Sequence, residues 1–108
     1  MTKAKYPPWY MFIKENHGNF IKCLEQLGEV VRREGPLDDK TSHLIQLAAA
    51  AAIRSEGSVH SHVRRALAAG ASPEEIYHSL MLLTSTIGFP TASAALSWAY
   101  DELKKKAG

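Results

Sequence analysis

Ser55, Ser58, His60 and His62 stand within eight residues of one another in the stretch "RSEGSVHSH". A serine oxygen attacks a substrate only when a neighbouring base takes its proton and the developing oxyanion is stabilised. A histidine, with an ordinary pKa of about 6.5, is the side chain best matched to giving or taking a proton near neutrality. On a helix, residues four apart share a face, so Ser58 and His62 are neighbours and Ser55 lies one turn earlier. The two histidines are two apart, a rotation of about 200°, and point to opposite sides of a helix. A His-x-His metal pair needs a strand, which this stretch does not offer. No Gly-x-Ser-x-Gly elbow surrounds either serine. General acid–base chemistry at His62 is therefore the reading with most support. His62 heads an otherwise apolar run of Val63, Ala66 and Leu67. The plain alternatives are that Ser58 caps a helix and that His62 is hydrogen-bonded to a neighbouring helix. His60, four residues before Arg64, reads as part of a solvated or interface face.

The elements that must hold these residues are helices. Pro7-Pro8 opens a short helix to about Glu15, and Gly18 interrupts it. "NFIKCLEQLGEVVRRE" carries Phe20, Cys23, Leu24, Leu27, Val30 and Val31 at helical spacing and stops at Gly35-Pro36. Cys23 sits on that stripe and is expected to be a buried structural thiol. Asp38 or Asp39 can cap the next helix, "DKTSHLIQLAAAAAIR", whose buried stripe is expected to be Leu44, Leu47, Ala48 and Ala51. Its alanines allow a neighbouring helix to approach closely. His43 and Gln46 are the polar residues on this helix that could approach His62.

Glu56-Gly57 supplies a break, and a helix from about Ser58 to Ala69 ends at Gly70. Ser72, Pro73 and Glu75 then spell a capping box with proline at the first helical position. The helix they start runs to Gly88 and is apolar around much of its circumference, through Ile76, Tyr77, Leu80, Met81, Leu83 and Thr84. Such a helix is central or shared with another subunit. Pro90 opens a last helix carrying Ala94, Ala95, Trp98 and Leu103. The expectation is an all-α, compact domain of five to six helices spanning residues 1–108.

Composition narrows the partners. With 13 basic and 11 acidic side chains the net charge is +2, too even a balance for a nucleic-acid surface. Lys104-Lys105-Lys106 complements the end of a helix dipole. A single cysteine forms no internal disulfide and no cysteine-based zinc site. Neither a metal ion nor another cofactor is expected. "MTKAKYPPWYMF" has no apolar segment of a signal peptide, and no stretch reaches the length of a membrane span. A cytoplasmic protein is the expectation. At 45% apolar residues in a short chain, self-association would add buried surface.

The segments "LDDKT", "HVRRALAAGASPEEI" and "GFPTASAAL" together resemble the carboxymuconolactone decarboxylase family, which also contains the alkylhydroperoxidase D-like proteins. The likeness runs from Gly35 to about Trp98. It implies the all-α alkylhydroperoxidase D-like fold, association as trimers or hexamers, and sites near subunit contacts. In the peroxidase-like members, a Cys-x-x-Cys pair is followed four residues later by a histidine, with a glutamate on the preceding helix. Aligned through "HV", the histidine falls on His62, the cysteines on Ser55 and Ser58, and the glutamate on His43. The last position lies in a segment that usually reads Lys-Thr-Arg-Glu-Leu and here reads "KTSHL".

Thiol peroxidase chemistry needs a thiolate and a resolving partner, which serine hydroxyls cannot replace. The decarboxylase branch also lacks the cysteine pair and keeps a histidine before "VR". Its lactone diacid substrate calls for a proton donor or acceptor and for cations that bind carboxylates. The resemblance makes His62 the first, with Ser55, Ser58 and His43 around it. Arg54, Arg64 and Arg65 become candidates for the second, since guanidinium binds carboxylate in bidentate fashion. The two functions in view are a cysteine-independent lyase or isomerase acting on a small carboxylate or lactone, and a non-catalytic oligomeric ligand-binding module. Neither involves nucleic acid or a membrane.

Overall fold

The computed structural model describes residues 7–107, with side chains to Lys105, so the Lys106 side chain and the first six residues lie outside the described residues. The described residues form helices and no strand: α1 (Pro8–Asn16), α2 (Gly18–Arg33), α3 (Asp39–Ala52), α4 (Glu56–Ala68), α5 (Pro73–Met81), α6 (Thr84–Ile87) and α7 (Phe89–Ala107). The all-α expectation holds, with the single turn α6 beyond the six longer helices. The chain falls into two compact units, one ending at Pro36 and the other beginning at Leu37.

In the first unit, Pro8 sits at the start of α1, where its missing N–H costs nothing. The chain breaks at His17 and resumes as α2. Tyr10 donates from its hydroxyl to Glu25 at 3.0 Å, and the Lys14 ammonium lies 3.4 Å from the same carboxylate, joining the two helices. The apolar spacing of α2 was legible, but its burial was not. Ile21 is buried, whereas Phe20 is 65% exposed and Leu24, Leu27, Val30 and Val31 are also open. Cys23 is exposed with them, which corrects the buried thiol expected from its stripe. The periodicity describes an apolar face that is exposed among the described residues.

In the second unit, capping fixes where helices begin. The Asp38 carboxylate accepts from the Thr41 N–H at 2.8 Å and caps α3. That backbone hydrogen bond holds the Asp38 carboxyl below its ordinary range. Ser72 and Glu75 form the reciprocal capping box of α5. Hydrogen bonding to the Ser72 N–H, with the Lys40 ammonium 3.0 Å away, lowers the Glu75 carboxyl in the same way. Because Lys40 belongs to α3, that ion pair also fastens α3 to α5.

The core is built by Leu47 and Ala51 of α3, Val59, Val63 and Ala66 of α4, Ile76 and Leu80 of α5, and Ala95, Ala99 and Leu103 of α7. The alanine stripes of α3 and α7 let backbones approach where larger side chains would hold them apart. On α3 the fully buried positions are His43, Leu47, Ala50 and Ala51, while Leu44 and Ala48 are only half-buried. Between α4 and α5 the chain turns at Gly70, whose φ of +101° suits a residue without Cβ. The helix expected to run unbroken to Gly88 stops instead at Met81. Leu83 N–H bonds back to the Leu80 carbonyl at 3.1 Å, a tightened turn. The residues that follow, Thr84, Ser85, Thr86 and Ile87, are weak helix formers.

Candidate functional site

His43 lies on the buried side of α3, four residues before Leu47, and is almost inaccessible to solvent. His62 lies on α4, between the core residues Val59, Val63 and Ala66, and is half-buried. The small residues of α3 bring the two helices close, and the imidazole rings stand with centroids 5.7 Å apart and planes tilted by 40°. The structure thus brings together the histidine and the residue standing at the glutamate position. Two imidazoles this close can share a proton-transfer task, because each ring has one nitrogen able to donate and one able to accept when neutral.

Helix α4 starts at Glu56, two residues earlier than its glycine suggested. Ser55 is the residue before the first turn, and its side chain makes no capping hydrogen bond. Ser58 is not a cap: it lies inside the first turn, exposed, one turn before His62 and on the same side of α4. Arg54 precedes this start in a left-handed conformation, φ 59°, that costs a non-glycine residue about 1–2 kcal/mol. The strain is held by Arg54 N–H to the Ala51 carbonyl at 3.0 Å and by Ser55 N–H to the Ala50 carbonyl at 2.9 Å. The Arg54 guanidinium donates to the Thr91 hydroxyl at 2.8 Å, so this arginine spans the ends of α3 and α7.

The remaining arginines part company. Arg65 is exposed, three residues after His62 and on its side of the helix. Arg64 points the other way and donates to the Glu102 carboxylate of α7 at 2.9 Å. His60 is on that side too. Its Nδ1 lies 2.7 Å from Glu102 Oε2, and its Nε2 lies 3.4 Å from Glu56. Lys105 adds a second positive charge at 3.8 Å. The solvated or interface face expected for His60 is instead part of an ion cluster between α4 and α7 centred on the buried Glu102. Its partner is 42 residues away in sequence. A signal did exist: Glu102 falls on the same stripe as Ala92, Ala95 and Ala99, and a carboxylate at a core position needs cations facing it.

One polar residue near the histidine pair completes this region. Gln46, one turn after His43 on α3, is half-buried, and its Oε1 is shielded from solvent with no hydrogen-bond partner among the described residues. Among the described residues no group of three or more histidine, cysteine, aspartate or glutamate side chains is placed as metal ligands would be. No described helix is long and apolar enough to cross a membrane.

The described residues thus form an all-α fold with a histidine pair between α3 and α4. The chain belongs to the carboxymuconolactone decarboxylase family, whose model matches residues 19–101. Among solved structures it is similar to the apo form of a carboxymuconolactone decarboxylase family protein from Legionella pneumophila. The TM-score is 0.76 at 20% sequence identity, over 90% of this chain and 86% of that one. At that identity the likeness establishes the fold. Among curated proteins none matches this chain.

Proposed function

We propose that this protein carries out cysteine-independent acid–base chemistry, a decarboxylation or related lyase or isomerase step, on a small carboxylate or lactone. The observation that carries the reading is the approach of His43 and His62 to 5.7 Å between ring centroids. Where a thiol relay would place two cysteines, this chain has Ser55 and Ser58, and its single cysteine is exposed on α2. What remains able to move a proton is the imidazole pair. His62, the more accessible ring, is the group that meets substrate, and buried His43 orients it. Ser58 and Ser55 lie along the same approach as hydrogen-bonding groups, and Arg65 with Arg54 supplies positive charge for a carboxylate. Arg64, engaged with Glu102, contributes at most through the field of the cluster.

His62→Ala should lower turnover of such a substrate by about 10²–10⁴-fold, the usual range for a positioned acid or base, while leaving the thermal midpoint nearly unchanged. Undiminished turnover in that variant contradicts the reading. A non-catalytic ligand-binding module would use the same residues. It is separated by a ligand that binds the wild-type chain, fails to bind His62→Ala, and is recovered chemically unchanged.

The protein also acts as a homo-oligomer, a trimer or hexamer, in this reading. Phe20, Leu24, Leu27 and Val31 share one side of α2 and remain open to solvent in the single chain, an apolar strip that a second copy would cover. Leu24→Glu with Leu27→Glu should shift sedimentation toward the 11.9 kDa chain mass, and a wild-type chain already at that mass contradicts self-association.

A further inference from the structure

Gln46 is the residue near the histidine pair that no role so far accounts for. It lies three residues after His43 and therefore next to it on the same side of α3. Its amide oxygen is a strong acceptor, taken out of solvent, and no donor of the described residues reaches it. Buried acceptors are rarely left so, because the group has given up its hydrogen bonds to water without replacement. An apolar side chain of the same length would fill the position at no such cost. The amide is informative because, apart from His43, the buried positions of α3, Leu47, Ala50 and Ala51, are apolar.

We infer that Gln46 is the specificity-determining residue of the His43/His62 site, and that its Oε1 accepts a hydrogen bond from a hydroxyl on the ligand. This rests on the site proposed above and names the class of ligand it takes: a hydroxylated carboxylic acid, in preference to the same acid without the hydroxyl. A site with a buried acceptor discriminates strongly in one direction. The hydroxylated ligand satisfies Oε1, whereas its deoxy analogue leaves the acceptor unpaired and fills the space with a hydrogen. The carboxylate of either ligand is recognised equally, so the difference between the two isolates the contribution of Gln46.

Malate and succinate differ by one hydroxyl and are the probes. Binding is followed by two-dimensional amide NMR titration of the full chain, for wild type, Gln46→Met and His62→Ala. Methionine keeps the length of glutamine and removes both amide groups. Gln46→Leu is the second variant should the methionine not fold. Wild type is expected to bind malate at least about fivefold more tightly than succinate, with the preference falling below about twofold in Gln46→Met. The inference is overturned by equal affinity in wild type, by a preference that survives Gln46→Met, or by no shift with either acid. Equal binding that His62→Ala abolishes sinks the role of Gln46 and leaves the histidine site standing. A malate preference lost in Gln46→Met but untouched by His62→Ala supports the glutamine and counts against the histidine.

Discussion

His60 and His62 leave the same helix two residues apart and meet opposite surroundings. On the α7 side, His60 reaches a buried carboxylate that Arg64 and Lys105 also approach, and opposite charges face one another throughout. On the α3 side, His62 faces a second imidazole and has Ser58 and Arg65 within one helical turn. A cluster that neutralises itself fastens helices. A buried imidazole beside a half-buried one is suited to proton transfer under the proposed function. The same residue type thus meets a carboxylate on one side of α4 and an imidazole on the other, and under the proposed function the first serves architecture and the second reactivity.

Substitutions at Glu102 should break this comparison most visibly. Glu102→Ala leaves Arg64 without its counter-charge and His60 with only the exposed Glu56 carboxylate, 3.4 Å away. Loss of one partner from a fully buried pair costs about 3–5 kcal/mol. Since Arg64 and Lys105 are partly solvated, about 2–3 kcal/mol is expected here, read from the urea midpoint. A loss under about 0.5 kcal/mol would mean that the cluster does not hold α4 to α7. Next in size, Ser72→Ala removes one half of the α5 capping box and should cost about 1 kcal/mol, measured in the same way. Its effect should add to that of Glu102→Ala, since the two devices share no partner.

Acid should act on the caps in a direction that can be worked out. The Asp38 and Glu75 carboxyls are both lowered in the folded chain from ordinary values of 3.8 and 4.5. Their contribution is therefore fully present above those values and is lost as the pH falls through the lower folded ones. Thermal midpoints should decline below about pH 4.5, and Glu75→Gln, which cannot titrate, should decline less steeply. The smallest effect is expected on the reactive side of α4. Ser58→Ala removes an exposed hydroxyl that caps nothing, and stability should stay within about 0.5 kcal/mol.

Local signals were readable from the residues alone. Asp38, Ser72, Pro73 and Glu75 start their helices where the sequence places them, because a cap and its partner lie within three residues. The family likeness carried His43 and His62 to the same place, and the structure sets them side by side. What depended on distant partners was not readable. Periodicity puts Cys23 on an apolar stripe, yet burial needs something to cover that stripe, and Cys23 is exposed. His60 looked solvated because Glu102 lies 42 residues away in sequence, beyond α5 and α6. Met81 ends α5 through a balance of weak preferences that no single residue announces.

The central claim is that chemistry belongs to His62 and architecture to His60, and substituting each in turn tests it most directly. His60→Ala and His62→Ala are compared in one urea denaturation series and one titration with malate. The account predicts that His60→Ala lowers the urea midpoint and keeps malate binding, while His62→Ala keeps the midpoint and loses binding. The reverse pattern, or binding that neither substitution weakens, would contradict it.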